Sequence, residues 1–348
     1  MNTNKKYLGI DIGGTTFKSG VIDSDNNIIF KNKIDSNPEN TIEESLTRIS
    51  SLIDEAISLY PEICSVGIGI PGVVTVDGIL LIAPHFPNWK NISMLEFFQN
   101  KYKKITVAID NDANAAAVAE MEAGQGKNLD NFIYLTLGTG VGGAIIINRK
   151  IFKGVHGGAG EIGHIIVEPT HFKEHLPIFR NGVLEELIGR EAIIATAKKI
   201  RNDYTAMIDG KVIDGKMIDK KVVNEKIINE IINPVDFELF NNEFDVLDIS
   251  NAADSGNIIA IKCLSLVGIY LGLSIVTTAN ILDITDFIIG GGISQSKIVI
   301  SEAIKTAQER SMPSITQHLN ITTAKFLHNT GIIGAALLGK NKIKINEK

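Results

Sequence analysis

Polar side chains that could carry out chemistry are concentrated in two short segments of this sequence. Asp110, Asn111 and Asp112 follow an apolar run that predicts a strand and precede an alanine-rich run that predicts a helix. Asp and Asn are common helix N-caps, so capping is one interpretation. The segment has more polar groups than one cap needs, and a carboxylate here could accept a proton from a substrate hydroxyl. Glu161 and His164 follow a glycine-rich loop and form the second segment, with a structural role for the histidine as the alternative.

Two turns of glycine and threonine indicate a second kind of chemistry. Gly13-Gly14-Thr15-Thr16 ends the first apolar run of the chain, and Gly138-Thr139-Gly140 ends a later one. Glycine lets backbone N–H groups approach anionic oxygens closely, and threonine hydroxyls add donors. Asp11 lies before the first turn, where a carboxylate could hold the hydration shell of Mg²⁺. One such turn is equally typical of a tight hairpin, but two turns, Asp11 and a later loop at residues 290–292 predict a triphosphate clamp.

Two common nucleotide-binding folds are excluded by the surroundings of the glycines. The pattern Gly-x-Gly-x-x-Gly occurs at residues 67–72, 138–143 and 158–163. A dinucleotide site needs a strand before this pattern and a helix that opens on it. Residues 67–72 lie largely within a predicted strand, and the Ala-Ile-Ile-Ile run after Gly143 predicts another strand. The P-loop pattern is absent from the sequence. We therefore expect neither a Rossmann dehydrogenase nor a P-loop enzyme.

The elements that must position these residues occur twice along the chain. Residues 7–12 and 17–22 are predicted to be strands joined by the first glycine turn, with a third strand at 28–34. The same order of strand, glycine turn and strand returns at residues 132–147. This repeat predicts an α/β protein with two related domains that face one another across a cleft. Further predicted elements are helices over 41–59, 114–121, 264–284 and 332–338, strands over 65–70, 105–109 and 287–289, helices with polar connections within 205–247, and a frayed tail over 340–348.

Composition is that of an ordinary globular chain. Its 348 residues exceed what one compact core usually organises, which favours two domains. Apolar residues make up 44% of the chain and the net charge is −6, so no basic footprint for nucleic acid is visible. Cys64 and Cys263 lie in apolar settings and form no Cys-x-x-Cys pair, which predicts two buried thiols in a reducing compartment. No signal region or unbroken apolar span is present, so we expect a cytoplasmic protein.

The motifs, taken in this order, resemble those of the ROK sugar kinases, which are actin-like and hexokinase-like ATPases. The resemblance covers about residues 6–339. The segments that carry it resemble the first phosphate motif (Asp11-Ile-Gly-Gly-Thr-Thr-Phe-Lys18), the sugar-side loop (Gly69-Ile-Pro-Gly72), the catalytic segment (Asp110-Asn-Asp-Ala-Asn114), the second phosphate motif (Leu137-Gly-Thr-Gly-Val-Gly-Gly143), the most family-specific stretch (His156-Gly-Gly-Ala-Gly-Glu-Ile-Gly-His164) and the adenosine loop (Gly290-Gly-Gly292).

The resemblance implies two actin-like, ribonuclease H-like domains across a catalytic cleft. Their expected bounds are residues 1–118 and 119–329, with a terminal helix at about 330–348 that packs back on the first. It also assigns Asp112 the role of general base. The implied sugar ligands are Gly72, Asn111, Asp112, Glu161, His164 and Glu185. The implied ATP ligands are Asp11, Gly13, Gly14, Thr15, Thr16, Lys18, Gly138, Thr139, Gly140, Gly291 and Gly292, with Mg²⁺ held by Asp11 through water.

The chain departs from the family pattern after His164. Relatives commonly carry a Cys-x-Cys-Gly-x-x-Gly-Cys-x-Glu segment that binds structural zinc. The matching residues, 177–185, keep Gly182 and Glu185 but have no cysteine, so we expect no structural zinc. His171, Glu174 and His175 lie nearby, but their spacing matches no family motif and indicates an exposed loop.

The implied reaction is the ATP-dependent phosphorylation of a hexose, with glucose at its 6-hydroxyl as the first choice. N-acetylmannosamine, N-acetylglucosamine and fructose remain alternatives, because His85 stands where relatives often have Asn in a sugar-proximal segment. A repressor or a non-catalytic sugar sensor is the alternative from another class. Repressor relatives carry a helix-turn-helix domain before the first phosphate motif, which here begins at Asp11. We therefore expect sugar and ATP as partners, no nucleic acid or membrane partner, and a homo-oligomer, since relatives are commonly dimers or tetramers.

Overall fold

Two β-sheets of the same topology organise the chain in a computed structural model that describes residues 5–171, 173–208, 235–327 and 329–346. The first sheet has the spatial order β3 (Ile28–Asp35), β2 (Thr16–Ile22), β1 (Lys6–Ile12), β4 (Ile63–Ile70) and β8 (Thr106–Asn111). The second has the order β11 (Lys150–Ile151), β10 (Val141–Ile147), β9 (Phe132–Leu137), β12 (Asp286–Gly290) and β13 (Asn320–Thr323). In both sheets the first two pairings are antiparallel and the last two are parallel. The duplication confirms the predicted α/β fold with two related, actin-like units.

Helices pack on the faces of both sheets. Their bounds are α1 (Ile42–Leu59), α2 (Met94–Lys101), α3 (Asp112–Ala123), α4 (Glu185–Ile188), α5 (Arg190–Ile208), α6 (Val235–Glu238), α7 (Val246–Asp254), α8 (Ile258–Leu282), α9 (Lys297–Arg310), α10 (Pro313–Thr316) and α11 (Thr330–Asn346). A small sheet in the first unit consists of β5 (Val73–Val74), β6 (Leu80–Ile82) and β7 (Lys90–Ile92), and the sequence analysis did not predict it. Strands of two or three residues are too short to show a hydrophobic period.

Sequence signals at the helix ends explain where α1 begins. Thr41 accepts a hydrogen bond from the Glu44 backbone N–H, and the Glu44 side chain accepts one from the Thr41 N–H. This reciprocal capping box satisfies two donors that would otherwise lack partners. The predicted helix over 41–59 is therefore confirmed. Of the predicted segment 205–247, residues 209–234 lie outside the described residues, while α6 and α7 fall at its end.

Helix α8 is apolar on all sides because it lies in the core of the second unit. Its buried residues pack in one cluster with side chains from α5, α7 and α9. Among the described residues it is the one helix that has the length and apolarity of a membrane span, and more than half of its most apolar stretch is buried inside the protein. Cys263 lies in this core, whereas Cys64 is partly exposed, which corrects the prediction of two buried thiols.

The last helix, α11, packs on β1, β4 and α3 of the first unit. Its backbone lies directly on the strands: a Cβ atom added at Gly9 would be 2.0 Å from the Ile332 carbonyl oxygen, and one at Gly67 would be 1.6 Å from that of Ala335. Glycine is therefore required at both strand positions. Helices α3 and α11 share a hydrophobic cluster with β9, β10 and β12, so they lie between the two sheets.

The C-terminal tail is more ordered than its charge predicts. Helix α11 continues to Asn346, so the expectation of a frayed tail from residue 340 is wrong for the described part. The Lys340 ammonium donates hydrogen bonds to the Ser24 carbonyl oxygen at 2.9 Å and to Asn26 Oδ1 at 2.8 Å. These contacts anchor the charged end of the helix to the hairpin between β2 and β3.

Candidate active site

The catalytic segment forms the junction between β8 and α3. Asn111 is the N-cap of α3, since its Oδ1 accepts hydrogen bonds from the backbone N–H groups of Ala113 (2.8 Å) and Asn114 (3.1 Å). Its Nδ2 donates to the Gly72 carbonyl oxygen at 3.0 Å, which ties the sugar-side loop to the helix start. The capping role that the sequence left open for Asp112 therefore belongs to Asn111, and Asp112 is the first residue of the helix.

Asp110 connects the same junction to the second unit. It is 5% exposed, and its Oδ2 lies 2.9 Å from the Lys153 ammonium, which follows β11. Its Oδ1 accepts hydrogen bonds from Asn114 Nδ2 and from the Asn111 backbone N–H, both at 2.9 Å. A buried charge needs this degree of pairing to be tolerated. The ion pair fixes the end of β8 relative to the glycine-rich stretch.

Asp112 has the electrostatic character of a proton acceptor. Burial raises the pKa of its carboxyl to about 6, and the negative charges of Asp11 and Glu161 contribute to the rise. The Ala113 backbone N–H donates to Asp112 Oδ1 at 2.9 Å and opposes the shift. The fold therefore brings three predicted site carboxylates together. A carboxylate with a pKa near 6 is ionised at neutral pH yet is a stronger base than an ordinary aspartate.

The glycine-rich stretch brings Glu161 close to Asp112, and His164 close to Glu161. Glycine is required here because Gly157, at φ +86°, would bring a Cβ atom within 2.5 Å of the Val74 carbonyl oxygen. Glu161 and His164 have exposed side chains, so both are accessible to a ligand. Surrounding protein raises the pKa of Glu161, the nearby His164 lowers it, and the charge of Glu185 raises it further.

Glu185 lies behind the second phosphate turn. Its Oε2 accepts a hydrogen bond from the Val141 backbone N–H at 2.9 Å, and its Oε1 lies 2.8 Å from a guanidinium nitrogen of Arg180. The Arg190 backbone N–H is 3.2 Å from the Gly138 carbonyl oxygen in the same turn. Residues at the starts of α4 and α5 therefore hold the second phosphate turn in place through hydrogen bonds.

The first phosphate turn is held in shape by its own backbone and by a serine. The Gly13 N–H donates to the Thr16 carbonyl oxygen at 2.9 Å, and Ser36 Oγ donates to that of Gly14 at 2.5 Å. Exposed His85 lies against this turn, since a Cβ atom added at Gly14 would be 3.2 Å from its Cβ. Thr15 is exposed and Gly13, Gly14 and Thr16 are half-buried, so the turn is accessible.

Asp11 lies at the base of the first turn. Its Oδ2 is 3.6 Å from the Lys18 ammonium. Burial raises the pKa of Asp11, and Lys18 opposes that shift. A Cβ atom added at Gly331 would be 2.5 Å from the Asp11 carboxyl carbon, so Asp11 lies at the N-terminal turn of α11. Helix N-termini favour negative charge, which suits a carboxylate at this position.

The second turn and the adenosine loop meet each other and leave space for a ligand. A Cβ atom added at Gly138 or Gly292 would have no protein atom within 4 Å. Gly291, at φ +83°, packs so closely on the end of β9 that a Cβ atom would lie 2.2 Å from the Leu137 carbonyl oxygen. Thr139, which follows Gly138, is exposed. Both segments thus have a glycine beside open space and touch each other through Gly291 and Leu137, and unobstructed backbone of this kind can approach a phosphate.

Sequence reasoning missed Lys153 and Arg180, which hold site carboxylates from a distance along the chain. Neither residue belongs to a motif, and lysine and arginine are ordinarily surface residues. Within the described residues, no three His, Cys, Asp or Glu side chains are grouped as a metal-binding cluster. The zinc expectation remains a prediction.

A cavity of about 480 Å³ is lined by Lys173 and Glu186 and not by the motif carboxylates. It is bounded by α5, α8 and the loop before α4, with Lys199, Tyr204 and Lys262 among its lining residues. Asp112, Glu161 and His164 do not line it. The motif carboxylates, rather than this cavity, are the candidate site, because Asp11, Asp112 and Glu161 converge there.

Known proteins resemble this chain over almost its whole length. The profile of the ROK family matches residues 7–342. A glucokinase from Halalkalibacterium halodurans is 28% identical over 99% of this chain and 98% of that protein. The structure of a ROK family glucokinase from Streptomyces griseus in complex with glucose and AMPPNP is 27% identical, with a TM-score of 0.72 over 97% of this chain and 99% of that one. A ROK family transcriptional regulator, a homologue of the E. coli MLC protein, is 26% identical, with a TM-score of 0.78 over 100% of this chain and 82% of the regulator. Because the family profile spans far more than half of its length, this protein belongs to the ROK family.

Proposed function

We propose that this protein is an ATP-dependent sugar kinase that transfers a phosphoryl group to a hexose, with glucose at its 6-hydroxyl as the preferred acceptor. The observation that carries the proposal is the raised pKa of Asp112, about 6, at a junction between two units where Asp11 and Glu161 converge. The glucokinases among its relatives, one of them holding glucose and AMPPNP, support the same chemistry.

Asp112 is the proposed general base. It accepts the proton of the attacking hydroxyl as the oxygen bonds to phosphorus. Since Asn111 caps α3, the Asp112 carboxylate is not needed to start the helix. Its carboxylate is ionised above about pH 6, so it is ready to accept a proton under neutral conditions. In phosphoryl transfer such a group mainly orients the nucleophile, and positioning supplies most of the rate.

The proposed phosphate site consists of the two glycine turns. Gly13, Gly14, Gly138 and Gly140 carry no side chain, and a Cβ atom added at Gly138 would have no protein atom within 4 Å. Thr15, Thr16 and Thr139 add hydroxyl donors, Lys18 adds a positive charge, and Gly291 and Gly292 are proposed to lie against the adenosine.

The proposed metal ligand is Asp11. Its half-buried carboxylate, beside Lys18, fits an ion bound through water. Mg²⁺, when bound, would neutralise the charge of the phosphates. Burial raises the pKa of Asp11 while Lys18 opposes the rise, and a bound cation would further favour the ionised carboxylate.

The proposed sugar site lies next to Asp112 and borders the second phosphate turn, which Glu185 contacts through the Val141 backbone N–H. Glu161 and His164 have accessible side chains that can hydrogen-bond sugar hydroxyls, and Glu185 lies next to Glu161. Asn111 holds the Gly72 loop and thereby shapes one wall. A set of two carboxylates and one imidazole suits the vicinal hydroxyls of a hexopyranose.

A phosphorylation screen tests the proposal. The purified protein is incubated with ATP, Mg²⁺ and, in turn, glucose, N-acetylmannosamine, N-acetylglucosamine and fructose. We expect the highest kcat/KM with glucose, and background turnover for Asp112→Asn with every sugar. A higher kcat/KM for an N-acetylhexosamine or fructose would replace glucose as the substrate. No turnover with any sugar would refute the kinase proposal.

The similarity to a transcriptional regulator raises a second candidate function, a sugar sensor without catalysis. It predicts sugar binding in calorimetry without ADP formation, and a gel-shift assay would detect any DNA binding. The position of Asp112 beside Asp11 and Glu161, free of the capping role that Asn111 fills, supports the kinase, because a sensor has no need for a base.

A further inference from the structure

Arg180 holds two consecutive carboxylates in the segment where relatives would carry zinc-binding cysteines. Its Nη2 lies 2.8 Å from Glu185 Oε1 and 2.5 Å from Glu186 Oε1, and its Nε donates to Glu186 Oε1 at 3.0 Å. The Lys173 ammonium lies 3.4 Å from Glu186 Oε2. Each of these four side chains is less than one-third exposed, so the pairs are less screened than ordinary surface ion pairs.

Glu186 anchors the guanidinium of Arg180. Burial alone would raise the pKa of Glu186, but hydrogen bonds and positive charge from Arg180 and Lys173 bring it below its usual value. Two nitrogens of the planar guanidinium, Nε and Nη2, donate to the same oxygen, Glu186 Oε1, and this pair of contacts restricts the orientation of the Arg180 side chain. Arg180 is therefore fixed by Glu186 while it contacts Glu185.

The loop that carries Arg180 is itself tied down by its backbone. Asn181 Oδ1 accepts a hydrogen bond from the Lys173 backbone N–H at 2.5 Å, and the Gly182 carbonyl oxygen accepts one from the Val167 N–H at 3.0 Å. Gly182 has φ +73°, which favours glycine at this turn. The guanidinium therefore projects from a defined backbone.

Glu185 is held at both of its oxygens. Arg180 contacts Oε1, and the Val141 backbone N–H donates to Oε2. A carboxylate has about four lone-pair positions, so acceptor capacity remains for a ligand hydroxyl. The direction in which the free lone pairs of Glu185 point depends on both contacts. Arg180 supplies the contact that comes from a side chain, and Val141 the one that comes from the backbone.

We infer that Arg180 is a positioning residue that aims Glu185 at the sugar, and that the ion-pair cluster of Lys173, Arg180 and Glu186 performs the orienting task that a structural zinc would otherwise perform in this segment. The inference rests on the proposed function, because it needs Glu185 as a sugar ligand. It predicts that loss of Arg180 weakens sugar binding specifically, since the Val141 contact still holds Glu185 near the second turn.

Three variants test this inference. Arg180→Met removes the ion pairs with Glu185 and Glu186. Arg180→Lys keeps the positive charge but replaces the planar guanidinium with a single ammonium group. Arg201→Met is the matched control, because Arg201 also forms side-chain hydrogen bonds within the second unit, to Asn202 and Asn241, away from the carboxylates. Steady-state KM for glucose and for ATP, the sugar Kd from calorimetry and the melting temperature are measured for each.

For Arg180→Met we expect the sugar KM and Kd to rise about 10-fold to 100-fold, the scale of a lost charged hydrogen bond, while the ATP KM changes less than about 3-fold. Arg180→Lys should recover part of the sugar affinity, and Arg201→Met should behave as wild type.

Unchanged sugar affinity in Arg180→Met overturns the inference, as does an equal rise of both KM values with a lowered melting temperature. If Arg180→Met does not fold, Arg180→Lys decides, because wild-type sugar affinity in that variant would show that the planar guanidinium is not needed. A wild type that neither binds nor phosphorylates sugar would instead refute the proposed function.

Discussion

The Asp112 carboxylate connects the proposed chemistry to a measurable rate. Asp112→Asn keeps the size of the side chain but removes the proton acceptor, so kcat should fall by about 10²-fold to 10⁴-fold. Sugar Kd should change little, because Glu161, His164 and Glu185 remain. Steady-state kinetics and calorimetry on the same preparation measure both. Since Asn111 caps α3, loss of a cap cannot explain a loss of activity. A fully active Asp112→Asn protein would remove the base assignment.

The same carboxylate should cost the folded protein stability in a pH-dependent way. Its pKa rises from 3.8 to about 6 on folding, so the folded state binds more protons between these values. Stability from this group therefore falls as pH rises through about 4 to 6 and stays lower above that range. Free of ligands, Asp112→Asn should match wild type near pH 4 and exceed its free energy of unfolding by about 2–3 kcal/mol at pH 7.5. Urea unfolding at both pH values tests this, and an equal difference at both would contradict it.

At the scale of elements, the two glycines of the second turn should behave differently. A methyl group at Gly138 would meet no protein atom within 4 Å, whereas one at Gly140 would lie 2.2 Å from Glu185 Oε2. Gly138→Ala should fold normally and raise the ATP KM alone, because its methyl group obstructs only the phosphate approach. Gly140→Ala should raise the KM values of both substrates, since it also displaces Glu185. Kinetics with each substrate varied in turn separate the two. Identical behaviour of the two variants would argue against this geometry.

The ion pair between Asp110 and Lys153 should link the two units energetically. Lys153→Met leaves Asp110 buried without its charged partner, and breaking a buried pair of this kind costs about 3 kcal/mol. Asp110→Asn combined with Lys153→Met should recover much of that loss, because no unpaired charge remains. Denaturant unfolding of both variants checks the prediction, and an additive double variant would contradict it.

Elements with a strong sequence period could be predicted, whereas the contacts that connect them could not. Local sequence signals were enough to predict the strands β1, β4 and β9, which are apolar runs, and the start of α1, which has a capping box. The small sheet over residues 73–92 was missed, since its strands are two or three residues long. Motifs identified Asp112 and Glu161, but Arg180 and Lys153 act through partners that only the fold brings near. The tail was predicted to be frayed because the sequence shows its charge but does not show the contacts of Lys340 with Ser24 and Asn26.

At the scale of the whole molecule, the protein should be independent of zinc. The segment at residues 177–185 is held by ion pairs and backbone hydrogen bonds. Elemental analysis of the purified protein should therefore find no stoichiometric zinc, and prolonged chelation should leave its melting temperature unchanged. About one tightly held zinc per chain, with a lower melting temperature after chelation, would contradict this expectation and direct attention to His164, His171 and His175.

The packing of α11 on β1 and β4 sets a constraint on the nascent chain. Strands β1 and β4 precede the second unit in the chain, yet their surface at Gly9 and Gly67 is covered by α11, which follows the second unit. The second unit is continuous between these two parts of the chain. During synthesis, the first unit therefore cannot complete its packing, because one apolar face of its sheet stays uncovered until α11 has been made. The second unit can fold before that point. This order reverses the usual N-terminus-first sequence of co-translational folding.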